Sequence, residues 1–195
     1  MDRGYIYLNK KSYLHNIEVL KNLSRKELCL VVKANAYGHG LEWAVQNAKE
    51  SSIKWFAVAS VDEGIQVKKV YGESSVLLLA EPSITQLENV KGNDIDLTVY
   101  NESFIDTLIE TEDEYSVHLK IDTGMHRLGC PPEKFYDLYK KIIDSNLKLI
   151  GICTHFPLAD TDEAETKKSI ELFEKTISDI DTTNVILHVD NSASS

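Results

Sequence analysis

Val31-Val32-Lys33-Ala34-Asn35-Ala36-Tyr37-Gly38-His39-Gly40 is the stretch on which the fold turns. The apolar run Leu28-Cys29-Leu30 precedes it, so a short buried strand is predicted to end at a lysine. An ammonium group costs several kcal/mol to bury unpaired, unless it gives up its proton. A lysine pushed toward neutrality is a nucleophile that condenses with an aldehyde. Taken alone, a strand-end lysine more often snorkels to solvent. The residues that follow shift the balance. Gly38 and Gly40 let backbone approach a ligand closely, and a helix starting just beyond suits an anion such as phosphate.

Outward from that stretch, apolar segments alternate with amphipathic ones. A first helix is predicted over 10–23, with Tyr13, Ile17 and Leu20 at i, i+4 and i+7. Another covers 41–48, with Trp43 and Ala44 turned inward. Strands are predicted at 55–59, 76–80, 95–99, 117–122, 149–153 and 185–189. Ser60 with Glu63, and Ser83 with Gln86, have the form of capping boxes. Asn101 is read as an N-cap, and Pro131-Pro132 as a helix opening with Phe135, Leu138, Tyr139 and Ile142 on its apolar face. Asp162 with Glu165 caps a last helix, whose stripe is Ile170, Phe173, Ile177 and Ile180.

Continuously apolar strands alternating with such helices imply a parallel sheet covered by helices. Seven strands fit a doubly wound sheet or an incomplete (β/α)8 barrel of the TIM type. Lys33, Arg127, His155, Asn191 and Ser192 all fall at or just past the C-terminal ends of predicted strands. Barrel sites are built there from many strands, whereas a doubly wound sheet binds mainly at one switch point. Contributions from four different strands favour the barrel.

Composition narrows the partners. The 195 residues suffice for one domain with a sizeable core, and 43% are apolar. A net charge of −10 argues against nucleic acid and against an anionic membrane surface. No stretch has the roughly 20 apolar residues of a membrane span, and the N-terminus lacks the apolar core of a signal peptide. Cys29, Cys130 and Cys153 show no C-x-x-C spacing; buried small apolar residues in a reducing cytoplasm are expected. His15, His39, His118 and His188 are read as structural, and no His/carboxylate cluster of metal-binding spacing is present, so no metal is expected.

Lys33-Ala34-Asn35-Ala36-Tyr37-Gly38-His39-Gly40 resembles the pyridoxal-phosphate attachment motif of alanine racemases. The resemblance implies that Lys33 carries pyridoxal 5'-phosphate as an internal aldimine and that Tyr37 contacts its phosphate. Lys120-Ile121-Asp122-Thr123-Gly124-Met125-His126-Arg127-Leu128-Gly129 resembles a second motif of the same family. It implies that Arg127 hydrogen-bonds the coenzyme's phenolic oxygen. Lys120 matches a lysine carbamylated in many members; on spacing alone, Lys120, Asp122 and Arg127 read equally as an internal salt-bridge cluster. His126 stands where glycine or asparagine is frequent. Thr154-His155-Phe156-Pro157-Leu158-Ala159-Asp160 resembles the segment whose histidine packs on the coenzyme ring, and Asn191-Ser192-Ala193 the one that lines the pocket and binds phosphate.

The resemblance runs over nearly all 195 residues yet covers about half of what such racemases comprise. The expectation is that residues 1–195 form the N-terminal part of a longer protein, with the eighth strand and a C-terminal β domain missing. That β domain would supply a tyrosine as second base across a homodimer interface, so this piece is expected to be inactive by itself. The function implied is racemisation of alanine, with serine or a broader range of amino acids as the rival substrate. A pyridoxal-phosphate-binding module without turnover is the alternative of another class. Proteins of that kind lack the Ala-Asn-Ala-Tyr-Gly-His-Gly continuation. A decarboxylase on the same barrel type is disfavoured by the contexts of Arg127 and His155.

Overall fold

The computed structural model describes residues 4–189, and the chain divides into two compact units, Met1–Leu77 and Leu78–Ser195. In the first, helix α1 (Lys10–Ser24) is capped by Asn9, whose side chain accepts the Ser12 N–H. Strand β1 (Cys29–Val31) leads through a one-turn helix α2 (Lys33–Tyr37) into α3 (Leu41–Glu50). Strand β2 (Trp55–Val58), helix α4 (Val61–Val70) and strand β3 (Ser75–Leu78), whose last residue opens the second unit, follow. The strands stand in sequence order, and β1 pairs parallel to β2, Leu30 beside Phe56. Tyr13 lies over Trp43, ring centroids 5.1 Å apart, and its hydroxyl donates to Ala44 O. The small Ala44 and Ala48 with Val45 turn α3 inward, while Phe56, Val58 and Val67 fill the space beneath.

Strand β1 is not the buried strand that its apolar run suggests. Cys29 is exposed and Val31 is 40% exposed. As the first strand in the order, β1 has a neighbour on one side only among the described residues. The expectation of three buried cysteines therefore holds for Cys130 and Cys153, whose thiols burial pushes up to about 12, and fails for Cys29.

The second unit holds β4 (Ile95–Val99), β5 (Ser116–Lys120), β6 (Lys148–Cys153) and β7 (Ile186–His188), again parallel and in sequence order. Its helices are α5 (Leu87–Gly92), α6 (Glu102–Glu110), α7 (Pro132–Ile143) and α8 (Glu163–Ile177). Pro132 occupies the first turn of α7, and Phe135, Leu138 and Ile142 are buried on one face. Asp162 accepts the Glu165 N–H at the start of α8, as its spacing predicts. Seven parallel strands in sequence order, joined through helices, are the βα arrangement of an incomplete (β/α)8 barrel.

Three local expectations are corrected. Ser83 caps nothing with its side chain; a single 3-10 turn (Ile84–Gln86) follows, and the hydroxyl meets Thr85 Oγ1 instead. Asn101 sits at the N-cap of α6, but its amide donates to Glu81, which also accepts the N–H groups of Tyr100 and Asn101. In α8, Ile170 is 38% exposed and Ser169 takes the inner place, because its hydroxyl donates to Thr123 O.

Candidate functional site

Lys33 stands where the chain reverses handedness. Ala34, Asn35, Ala36 and Tyr37 all have φ between 51° and 54°, so α2 winds left-handed. None of the four is glycine, and each residue so placed costs roughly 1–2 kcal/mol from the clash of Cβ with the following carbonyl. A run of them persists only where the surroundings over-determine it. Here the surroundings are a dense set of hydrogen bonds. Val32 N–H donates to Ala57 O, and Ala36 N–H to Val32 O. Gly38 N–H reaches Ala34 O, and Gly40 N–H reaches Asn35 O at 2.9 Å. The Asn35 side chain accepts the Leu41 N–H at 2.8 Å and so begins α3. Gly38 and Gly40, at φ 87° and 93°, close the turn in a conformation that glycine adopts without strain. Lys33 itself is half-buried, its Nζ 6.0 Å from the centre of the exposed Tyr37 ring.

One residue of this arrangement escaped the sequence reading. Glu63 occupies the third position of the capping box that Ser60 opens, and its N–H does donate to Ser60 Oγ at 3.3 Å. Its carboxylate makes contacts that box does not describe. Oε2 accepts the Ala59 N–H at 3.0 Å, and Oε1 accepts the Asn35 N–H inside the left-handed turn at 3.3 Å.

The second unit carries the remaining candidates. Strand β5 ends at Lys120, 9% exposed. A loop then runs to Cys130 and is pinned at both ends: Cys130 N–H donates to Lys120 O, and Asp122 N–H to Cys130 O. Within it, Asp122 Oδ1 accepts the N–H groups of Gly124 and His126, both at 3.0 Å. Burial pushes the Asp122 carboxyl up, but those backbone bonds and His126 outweigh it and hold the group below its usual range. Arg127 is exposed on this loop. Gly129, at φ 137°, lets the loop return, since a Cβ there would lie 2.6 Å from Asp122 N. The hydroxyls of Thr123 and Thr154 meet at 2.7 Å. That bond ties the Arg127 loop to the segment after β6 on which His155 stands, half-buried. Asn191 and Ser192 lie outside the described residues.

A buried polar chain also runs across β4, β5 and β7. His118, 1% exposed, contacts His188 Nε2 through Nδ1 at 2.8 Å and Asp96 Oδ2 through Nε2 at 3.3 Å. The sequence reads each histidine singly, and the structure brings them together as a pair. Burial first, then the charges of His118 and Lys120, lower His188 from 6.5 to about 3. Between these values the unfolded chain holds the extra proton, so stability from this group is complete above 6.5 and is lost as pH falls toward 3. The unfolding free energy from urea titrations is expected to fall as pH is lowered across that window, by up to about 1.4 kcal/mol per pH unit from this one group. His188→Gln should remove that share of the slope. Parallel slopes for the two proteins would contradict the assignment.

Among the described residues no group of three or more His, Cys, Asp or Glu is placed to hold a metal ion. No described helix is long and apolar enough to cross a membrane. An amine just past a strand end, with a phenol on the same turn, is a donor set that suits an aldehyde coenzyme.

This chain is similar to known proteins over most of its length. Residues 8–195 match the family described as alanine racemase, N-terminal domain. An alanine racemase of Treponema denticola is 34% identical over 98% of this chain and 54% of its own length. An amino-acid racemase of Enterococcus faecalis is 34% identical over 90% of this chain and 26% of its own length. The solved alanine racemase of Clostridium difficile 630 superposes with a TM-score of 0.85 at 29% identity, covering 93% of this chain and 51% of that one. This chain thus spans about half the length of the Treponema denticola relative, at 54%.

Proposed function

The chain belongs to the alanine racemase family, and on that premise we propose that it is the coenzyme-holding part of an isomerase that interconverts L- and D-alanine. Pyridoxal 5'-phosphate, when bound, supplies an electron sink that stabilises negative charge at the amino acid Cα. Lys33 is its attachment amine, and the same Nζ takes and returns the Cα proton on one face of the substrate. Racemisation requires a second proton donor on the opposite face. In this reading it lies outside residues 1–195, in a partner copy of a homodimer. The observation that carries the reading is the half-buried Lys33 at the head of a left-handed turn of non-glycine residues, strain of a kind that clusters at functional sites.

The other roles follow the family motifs residue by residue. Tyr37 and Ser192 hold the phosphate, Arg127 donates to the phenolic oxygen, His155 packs on the ring and Asn191 lines the pocket. Lys120, buried at the end of β5, is the lysine for carbamylation; in this reading an anion there in place of a cation relieves the cost of two like charges. The substrate is a small amino acid. Alanine is favoured over serine by the name of the Treponema denticola relative, while the broader name of the Enterococcus faecalis relative supports a wider range. The working place is the cytoplasm.

Borohydride reduction of the full-length protein mixed with pyridoxal phosphate, followed by peptide mapping, tests this. The pyridoxyl mass is expected on the peptide holding Lys33. Label on a different lysine, or no label, would overturn the assignment.

A further inference from the structure

We infer that Glu63 is a positioning residue for Lys33: its carboxylate clamps the left-handed turn and fixes where the amine stands. The inference rests on the reading of Lys33 as the attachment amine, but its structural half stands apart from it. Four successive non-glycine residues in the left-handed region return to ordinary backbone unless something outside the turn holds them. Most hydrogen bonds of the turn are internal: Ala36 to Val32, Gly38 to Ala34, His39 to Ala36 and Gly40 to Asn35. Internal bonds close a ring without saying where the ring sits.

Asn35 is the centre of the turn; Val32 N–H ties the start of the turn to Ala57 O, and the backbone N–H of Asn35 is the group that leaves it from within the left-handed run. That N–H donates to Glu63 Oε1 at 3.3 Å, while Glu63 Oε2 takes the Ala59 N–H at 3.0 Å. Glu63 belongs to α4 and Ala59 follows β2 directly. One ionised side chain therefore ties the turn at the end of β1 to the end of the neighbouring strand and to the helix after it. Two charge-assisted bonds to backbone N–H groups need both oxygens as acceptors. An ionised carboxylate provides them. A glutamine offers one acceptor and would set its NH₂ against the other N–H.

Four variants of the full-length protein separate this from a general packing role: Glu63→Ala, Glu63→Asp, Glu63→Gln, and Glu63→Ala with Ala34→Gly. Hydrogen exchange on the coenzyme-free protein reads the turn. Glu63→Ala is expected to speed exchange of the amides at 35–41 at least tenfold, with those of α1 and β4 unchanged. Retention of pyridoxal phosphate during dialysis should fall at least tenfold, with a shifted pH titration of the bound coenzyme's absorbance. Glu63→Gln should fall between Glu63→Ala and wild type, and Glu63→Asp nearer wild type. Ala34→Gly should recover part of the loss, since glycine takes the left-handed conformation without the Cβ clash. Exchange at 35–41 within twofold of wild type in Glu63→Ala would overturn the clamp, as would coenzyme loss with no change at 35–41. Failure of the unmutated protein to take the coenzyme would sink the attachment reading while leaving the exchange result to decide the clamp. Should Glu63→Ala not fold, Glu63→Gln carries the same two arms.

Discussion

Replacing Lys33 by alanine in the full-length protein is expected to lower alanine racemisation by at least about a thousandfold, the order that a positioned general base and a covalent nucleophile together supply. The characteristic absorbance of the bound coenzyme should be lost with it. Stability should barely move. Lys33 is half-buried, and its nearest described ring contact, to Tyr37, lies at 6.0 Å, the outer limit of a cation–π interaction. The fold therefore loses about 0.5 kcal/mol or less from that contact. The left-handed turn after Lys33 is held by backbone groups, Asn35 and Glu63, none of which the substitution touches. Paired measurements of racemisation and urea midpoint decide the matter. Activity within tenfold of wild type would refute the role of Lys33. Loss of activity together with several kcal/mol of stability would show that the amine holds the fold.

That separation between chemistry and architecture explains what the sequence disclosed. Strand β4 falls at Ile95–Val99 as predicted, and the remaining strands are found within a few residues of their apolar runs. Such runs mark strands because parallel sheets bury both faces. The order of strands follows because short βα connections place sequential strands side by side. The turn after Lys33 was legible in its residue types and not in its handedness. Ala34, Asn35 and Ala36 are residues that an ordinary helix would accept, and the bonds that tie the turn to Ala57 O and Glu63 reach groups distant in sequence. Glu63 was visible as the end of a capping box, but its second partner lies 28 residues away, on Asn35. The Asp96–His118–His188 chain was hidden for the same reason: each member looks solitary along its own strand, and parallel registration alone brings the three together. Ser169 displacing Ile170 from the inner face of α8 follows from a single bond to Thr123 O, which periodicity cannot foresee.

Gly151→Ala should be strongly destabilising, although it adds a single methyl. Gly151 pairs with His118 across β5 and β6, beside a register shift between Val117 and His118. A Cβ at Gly151 would lie 2.3 Å from His118 Nδ1, 2.9 Å from His118 Cε1 and 2.9 Å from Ile186 O. Nδ1 is the atom that meets His188 at 2.8 Å. The imidazole cannot retreat without breaking that bond and its contact with Asp96, and the carbonyl belongs to the β6–β7 ladder. Overpacking of this kind costs roughly 1–3 kcal/mol, and each buried polar group left unpaired adds about 1–3 kcal/mol. A loss of about 3 kcal/mol or more is therefore expected in chemical denaturation, a large share of a typical domain's stability. Adding His118→Ala to Gly151→Ala should return part of it, because the nearest clashing atoms are gone while the contact with Ile186 O remains. A Gly151→Ala protein within 1 kcal/mol of wild type, read as an order-of-magnitude threshold, would mean that the histidine pair does not occupy the space above this glycine.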